Sequence, residues 1–211
     1  MQITKFTHSC LRIEGAGVLV VDPGAFSERS ALDGADAVLI THEHIDHLDP
    51  EALTEALDRR PGLRLYAHAD VLAQHPAFAG VATAVEPGGE FEAAGYQVRV
   101  YGGRHAVIHP DIPRIANVGY LIADGSTNLY HPGDSFTVPE DTTVDTLFAP
   151  LNAPWMKLSE SIDFVRAVKP GRAYALHDAL LTPTGAGISD GHLERLSGTK
   201  YAHVAPGTTI P

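Results

Sequence analysis

Apolar residues in this chain fall into short runs separated by glycine, proline and acidic residues. Gly17–Val21, Ala37–Ile40, Tyr96–Tyr101, Val118–Ile122 and Arg172–Leu176 are such runs, bounded by turn formers, and their pattern predicts strands. A helical spacing appears elsewhere. Asp49-Pro50-Glu51 offers an N-cap, a first-turn proline and an early acid ahead of Ala52-Leu53-Thr54-Glu55-Ala56-Leu57, so a helix should begin there and stop by Pro61-Gly62. Leu158, Ile162 and Val165 at i, i+4 and i+7 predict a second helix, closed by Lys169-Pro170-Gly171, and a weaker pattern runs from Asp190 to Leu196. Strands and helices mix throughout, with no long Ser/Gly linker, internal repeat or low-complexity stretch. The expectation is one domain of mixed α and β structure over residues 1–211.

Composition narrows what such a domain can do. A chain of 211 residues is long enough for one sizeable core, and 44% hydrophobic content fits a soluble globular protein. The formal charge of −11, with no basic run to offset it, disfavours nucleic acid and anionic membranes as partners. Met1–Phe6 lacks the charged and apolar regions of a signal peptide, and no stretch approaches the roughly 18 apolar residues of a spanning helix, so a cytoplasmic location is expected. Cys10 is the single cysteine, which excludes an intrachain disulfide and a multi-cysteine metal site. Any metal must be held by His, Asp and Glu.

Those residue types crowd into one place. Directly after Ala37–Ile40, the run Thr41-His42-Glu43-His44-Ile45-Asp46-His47 packs three imidazoles and two carboxylates together. Lone pairs gathered at the end of a buried strand cost free energy if left unpaired, and a divalent cation satisfies them. His42 and His44, two apart, lie on the same side of an extended backbone and can share one ion. Asp46 follows two further on and His47 begins the turn toward the helix, so this pair can serve a second ion or a bound water. The helical zinc motif H-E-x-x-H is excluded, because Asp46 stands where its second histidine belongs.

H-x-H-x-D-H after a strand resembles the signature of the metallo-β-lactamase superfamily. Gly103-Arg104-His105, Tyr130-His131-Pro132-Gly133-Asp134-Ser135 and Ala175-Leu176-His177-Asp178 resemble the later motifs of that superfamily, in its order. Thr7-His8-Ser9-Cys10-Leu11-Arg12-Ile13-Glu14 and Val20-Val21-Asp22-Pro23-Gly24 are similar to its short, stand-alone branch, which includes the L-ascorbate-6-phosphate lactonases. The resemblance implies a four-layer αββα sandwich with the site at one edge. It also implies that His42, His44 and His105 hold a first metal, that Asp46, His47 and His177 hold a second, and that Asp134 bridges them. Two such ions share a hydroxide and polarise the substrate, so water is the nucleophile and Asp46 either orients it or passes a proton to the leaving group. Imidazole with carboxylate suits zinc and also accommodates manganese or iron(II). Oxygen- and nitric-oxide-reducing di-iron members carry Glu at the position of His44, which makes hydrolysis the preferred chemistry here.

Other polar residues keep two readings. His109 competes with His105 as the third ligand of the first metal, and otherwise reads as an exposed loop histidine. His8 either faces the metals or satisfies local backbone groups, and Asp22 is either a partner that orients a ligating imidazole or a turn former. His131 reads as structural or as a partner of the ligands rather than a ligand itself, while His68, His75, His192 and His203 show no partner pattern. Arg104, Arg114, Trp155, Met156 and Lys157 are candidates for the pocket wall and equally for surface or packing roles. The function expected is a dinuclear hydrolase of an ester, lactone or phosphoester of a small cytosolic metabolite. A metal-stabilised binding or regulatory protein, and a small phosphodiesterase or nuclease, are the alternatives. Oligomeric state is not legible.

Overall fold

The computed structural model describes residues 1–210. Two seven-stranded mixed sheets pack face to face. The first contains β1 (Gln2–Lys5), β2 (Leu11–Glu14), β3 (Val18–Val21), β4 (Ala37–Ile40), β5 (Arg64–His68) and β6 (Ala82–Val85); the second contains β7 (Glu90–Ala93), β8 (Tyr96–Gly102), β9 (Val118–Ala123), β10 (Asn128–His131), β11 (Thr146–Pro150), β12 (Arg172–Leu176) and β13 (Lys200–Ala202). The last strand, β14 (Thr208–Ile210), returns to the first sheet beside β1, giving the order β14-β1-β2-β3-β4-β5-β6. Each sheet is antiparallel over one half and parallel over the other: β3, β4, β5 and β6 run parallel, as do β10, β11, β12 and β13.

Helices cover the outer faces. α1 (Pro50–Arg59) and α2 (Ala69–Gln74) lie on the first sheet, and α3 (Leu158–Val168) and α4 (Pro183–Leu196) on the second, completing the α/β/β/α sandwich. The Asp49 carboxylate accepts the backbone N–H groups of Glu51 and Ala52 at the start of α1. α4 begins at Pro183, capped by the Thr182 side chain and well before the apolar pattern at Asp190; its first turns carry Gly185 and Gly187 and bury little, so they leave no apolar spacing in the sequence. α3 ends where Lys169 adopts a left-handed conformation with φ 53°.

Central strands carry no polar alternation because both of their faces are covered. In β4, Ala37 and Leu39 enter the core between the sheets while Val38 and Ile40 enter the core under α1 and α2. β12 repeats this, with Tyr174 and Leu176 pointing between the sheets and Ala173 and Ala175 toward α3 and α4. Tyr120 of β9, fully buried between the sheets, donates its hydroxyl to the Ile40 carbonyl at 2.8 Å. Val118 N–H reaches the Thr41 carbonyl at 2.9 Å, so the two sheets are tied together where β4 ends. No helix among the described residues is long and apolar enough to cross a membrane.

Candidate metal centre

Loops at the ends of four elements converge on one edge of the sandwich. β4 delivers His42, His44, Asp46 and His47; the loop between β8 and β9 delivers His105; β10 is followed by Asp134, and β12 by His177. His42, His44, His105 and Asp134 form one group of donor atoms within 4.8 Å of one another, and His8, Asp46, His47 and His177 form an adjoining one. Asp134 stands between them: Oδ2 is 3.3 Å from both His105 Nε2 and His177 Nε2, and Oδ1 is 3.1 Å from His47 Nε2. All seven residues singled out by motif therefore lie in one cluster. His109 lies outside it, with its side chain 61% exposed.

Hydrogen bonds around the cluster assign the imidazole tautomers. Buried Asp22 accepts Thr41 N–H at 2.8 Å, Thr41 Oγ1–H at 2.6 Å and His47 Nδ1–H at 2.7 Å. With its hydroxyl proton given to Asp22, Thr41 Oγ1 accepts His42 Nδ1–H at 3.0 Å. His105 Nδ1 donates to the Ala106 carbonyl at 2.7 Å, and His177 Nδ1 to the Asn152 carbonyl at 2.6 Å. In each of these four rings the outer nitrogen carries a hydrogen, and Nε2 is turned inward as the atom that can bind an ion once it holds no proton. His42 Nε2 meets His44 Nδ1 at 3.1 Å.

His8 has the opposite tautomer. Its Nδ1 accepts Ala179 N–H at 3.3 Å, which leaves the hydrogen on Nε2, 3.0 Å from Asp46 Oδ2. It therefore donates to Asp46 rather than offering a lone pair. The ring lies against His177, with centroids 3.9 Å apart. Asp22, acting on His47 and Thr41, is the orienting partner among its two readings. His131 donates to the Ser9 carbonyl at 2.9 Å and accepts Gly133 N–H at 3.1 Å, both nitrogens being used on backbone.

Backbone conformation is unusual at this edge. His8, Asp22 and His177 have φ of 65°, 48° and 58°, in the left-handed region that costs non-glycine residues free energy. A Cβ on Gly24 would meet the Asp46 carbonyl oxygen at 1.9 Å, so only glycine lets the loop after β3 lie against the ligand loop. Gly133, with φ 59°, lies against Thr41 and Asn117, whose side-chain oxygen accepts Asp134 N–H at 2.9 Å.

Charge is distributed unevenly. Burial opposes ionisation of Asp46 and Asp134, yet the imidazoles of His177, His8 and His47 beside the first, and those of His47, His105 and His177 around the second, hold both carboxyls well below the usual range. Burial would lower His177, but Asp134 and Asp46 raise it to about 9. His47 is raised for the same kind of reason, against its burial, by Asp134 and Asp22. Burial, with the neighbouring imidazoles, lowers His42 and His44.

Several contacts have no local signature in the sequence. Trp155 donates its indole N–H to Asp134 Oδ2 at 2.8 Å while packing on Phe136, so it belongs both to the centre and to the packing. Arg104 donates to the Arg114 carbonyl and Arg114 to that of His105, and Lys157 is the N-cap of α3. His203, which shows no partner pattern in sequence, bridges Asp178 and Asp190 at 2.9 Å each. His68 caps α2 by accepting Asp70 N–H.

Metal ions fit this arrangement. His105 Nε2, His177 Nε2 and Asp134 Oδ1 are buried and have no hydrogen-bond partner, at a cost of about 1–3 kcal/mol for each such atom. All three point into the cluster, and their donor types, nitrogen and carboxylate oxygen without sulfur, suit a divalent transition metal.

Comparison with known proteins agrees on the fold. Igni18, a metallo hydrolase from the archaeon Ignicoccus hospitalis, superposes with a TM-score of 0.77 at 19% identity over 99% of this chain and 97% of its own. Protein Rv0786c of Mycobacterium tuberculosis is 43% identical over 95% of both chains. A UPF0173 metal-dependent hydrolase of Myxococcus xanthus is 24% identical over 99% of this chain and 82% of its own. Residues 2–177 match the family described as the beta-lactamase superfamily domain. With the two-sheet sandwich and the His/Asp cluster at its edge, that match shows that the chain belongs to the metallo-β-lactamase superfamily.

Proposed function

We propose that the chain is a metal-dependent hydrolase that uses two divalent ions on an ester, lactone or phosphoester of a small metabolite in the cytoplasm. The observation that carries this reading is the pair of adjoining donor groups joined through Asp134, with unpartnered buried atoms facing inward. His42, His44 and His105 would hold one ion, Asp46, His47 and His177 the other, with Asp134 between them and zinc as the first choice, manganese or iron(II) being compatible. When bound, such ions supply Lewis acidity to the substrate oxygen and acidify a water.

The chain's own groups divide the remaining work. Asp46 is the more open of the two carboxylates, 18% exposed against 4% for Asp134, and it lines the cavity above the cluster. His8 occupies Asp46 Oδ2. The carboxylate is thus held still, with accepting capacity left to orient an attacking water. Trp155 holds Asp134 through its indole N–H on Oδ2. The UPF0173 relatives are named metal-dependent hydrolases, which supports the same class. Resemblance to the L-ascorbate-6-phosphate lactonases contributes one candidate bond, the lactone.

A panel of esters, lactones and phosphodiesters, offered to zinc- and manganese-loaded protein, tests the proposal. Wild type should turn over at least one member. Asp46→Asn should fold, retain most of its metal and lose about 100-fold or more in kcat, the scale of a positioned acid–base group. No turnover by wild type across the panel would move the reading to a metal-stabilised binding protein. Cleavage of bis(p-nitrophenyl) phosphate alone would move it to a phosphodiesterase.

A further inference from the structure

The mouth of the metal centre is apolar. A cavity of about 280 Å³ opens over the cluster, and apart from the ligand cluster itself its walls are Phe26, Ile45, Ile108, Pro154, Trp155 and Leu180. The Trp155 N–H is already given to Asp134, so the indole shows the cavity only carbon. None of the lining residues is Lys or Arg. Arg114 lies in the adjoining groove, where its Nε is committed to the His105 carbonyl.

Exposure gives an independent signal. Among the described residues, seven large hydrophobic side chains are exposed. Phe26, Ile45 and Leu180 of these line the cavity, at 41%, 56% and 57% exposure, and Ile112 lines the groove beside it. Apolar surface gathered around a pocket, rather than scattered, marks the place where a ligand covers it. A phosphate or sugar hydroxyl remote from the scissile bond would lose water here without gaining a partner.

We propose that the substrate is a carboxylic ester or lactone with an apolar alkyl or aryl acyl group, which lies against Phe26, Ile45 and Leu180 while the carbonyl sits at the ligand cluster. This rests on the hydrolase reading above. In the reaction, the water oxygen bonds to the acyl carbon, the acyl C–O bond breaks and the alkoxy oxygen takes a proton, so that an ester gives an alcohol and the apolar acid, and a lactone opens to a single hydroxy acid. Each methylene that the cavity removes from water strengthens binding by about fourfold, so selectivity should follow acyl length.

Two series of measurements test this on metal-loaded protein. In the first, kcat/KM for p-nitrophenyl acetate, butyrate and hexanoate should climb, by up to roughly 16-fold between the first two members. The exposed-site variants Phe26→Ser and Leu180→Ser should flatten the climb while keeping wild-type metal content. In the second, calorimetric affinity for acetate, butyrate and hexanoate should rise in the same order. Ester cleavage that is flat or falls with length, or a preference for a phosphorylated sugar lactone over hexanoate esters, overturns the proposal. Alkanoate affinity that rises with length, in a protein that cleaves no ester, upholds the apolar pocket and overturns the hydrolase reading.

Discussion

Each candidate ligand imidazole with an assigned tautomer has one nitrogen engaged outside the cluster. Thr41, Asp22 and the carbonyls of Ala106 and Asn152 take the Nδ1 hydrogens of His42, His47, His105 and His177. That arrangement pre-orients four Nε2 atoms before any ion arrives, which lowers the cost of binding. Asp22 acts on two of the rings, directly on His47 and through Thr41 on His42. Asp22→Asn should therefore weaken metal affinity by about 10–100-fold in a competitive chelator titration; unchanged affinity would show that the ligands orient themselves. The seven motif residues were legible because they sit at fixed spacings beside strands. Trp155 was legible only as a candidate for the pocket wall, and its bond to Asp134 and the role of Asn117 were not legible, since each acts through a contact with no repeat or spacing. The tautomer of His8 depends on Ala179 N–H, which lies far along the chain and is invisible to local pattern.

Among the elements, the helices with clear caps and apolar spacing, α1 and α3, were legible nearly to their ends, whereas α4 showed only its last turns because Gly185 and Gly187 dilute the pattern. α2, only six residues long, offered too little spacing to recognise. What α4 lacks in burial it partly recovers in charge. His203, just after β13, donates one nitrogen to Asp190 on α4 and the other to Asp178 beyond β12, so it must be an imidazolium to make both bonds. Lys5 of β1 also reaches Asp178, at 3.0 Å, and Tyr201 reaches Asp190. Asp178 and Asp190 raise the His203 pKa above its ordinary 6.5. The stabilisation is therefore complete below about pH 6.5 and is lost as pH rises through the raised value. At pH 6, His203→Gln should lower Tm by about 2–4 °C, corresponding to about 1 kcal/mol for a partly exposed charged bond. Above that raised value the difference from wild type should narrow. An equal difference below and above it would show that His203 contributes packing rather than charge.

For the whole molecule, the apolar runs indicated mixed α and β structure, and the four-layer arrangement was legible only through motif resemblance. Physical reasons account for this. Strands covered on both faces lose the alternation that would tell sheet from sheet, and pairings such as β14 with β1 join opposite ends of the chain. The sandwich places the ends of β4, β10 and β12 at one edge, and the two sheets are joined there by the Tyr120–Ile40, Val118–Thr41 and His177–His8 hydrogen bonds. Both donor groups thus draw on both sheets, and the site should form only when the two are packed. Metal content of zinc-loaded, desalted protein, measured by inductively coupled plasma mass spectrometry, tests the two-ion centre most directly. Wild type should hold about two ions per chain, and His42→Ala and His177→Ala about one each, because each removes a ligand from a different group. Wild-type metal content in both variants, or no more than one ion in wild type, would contradict it.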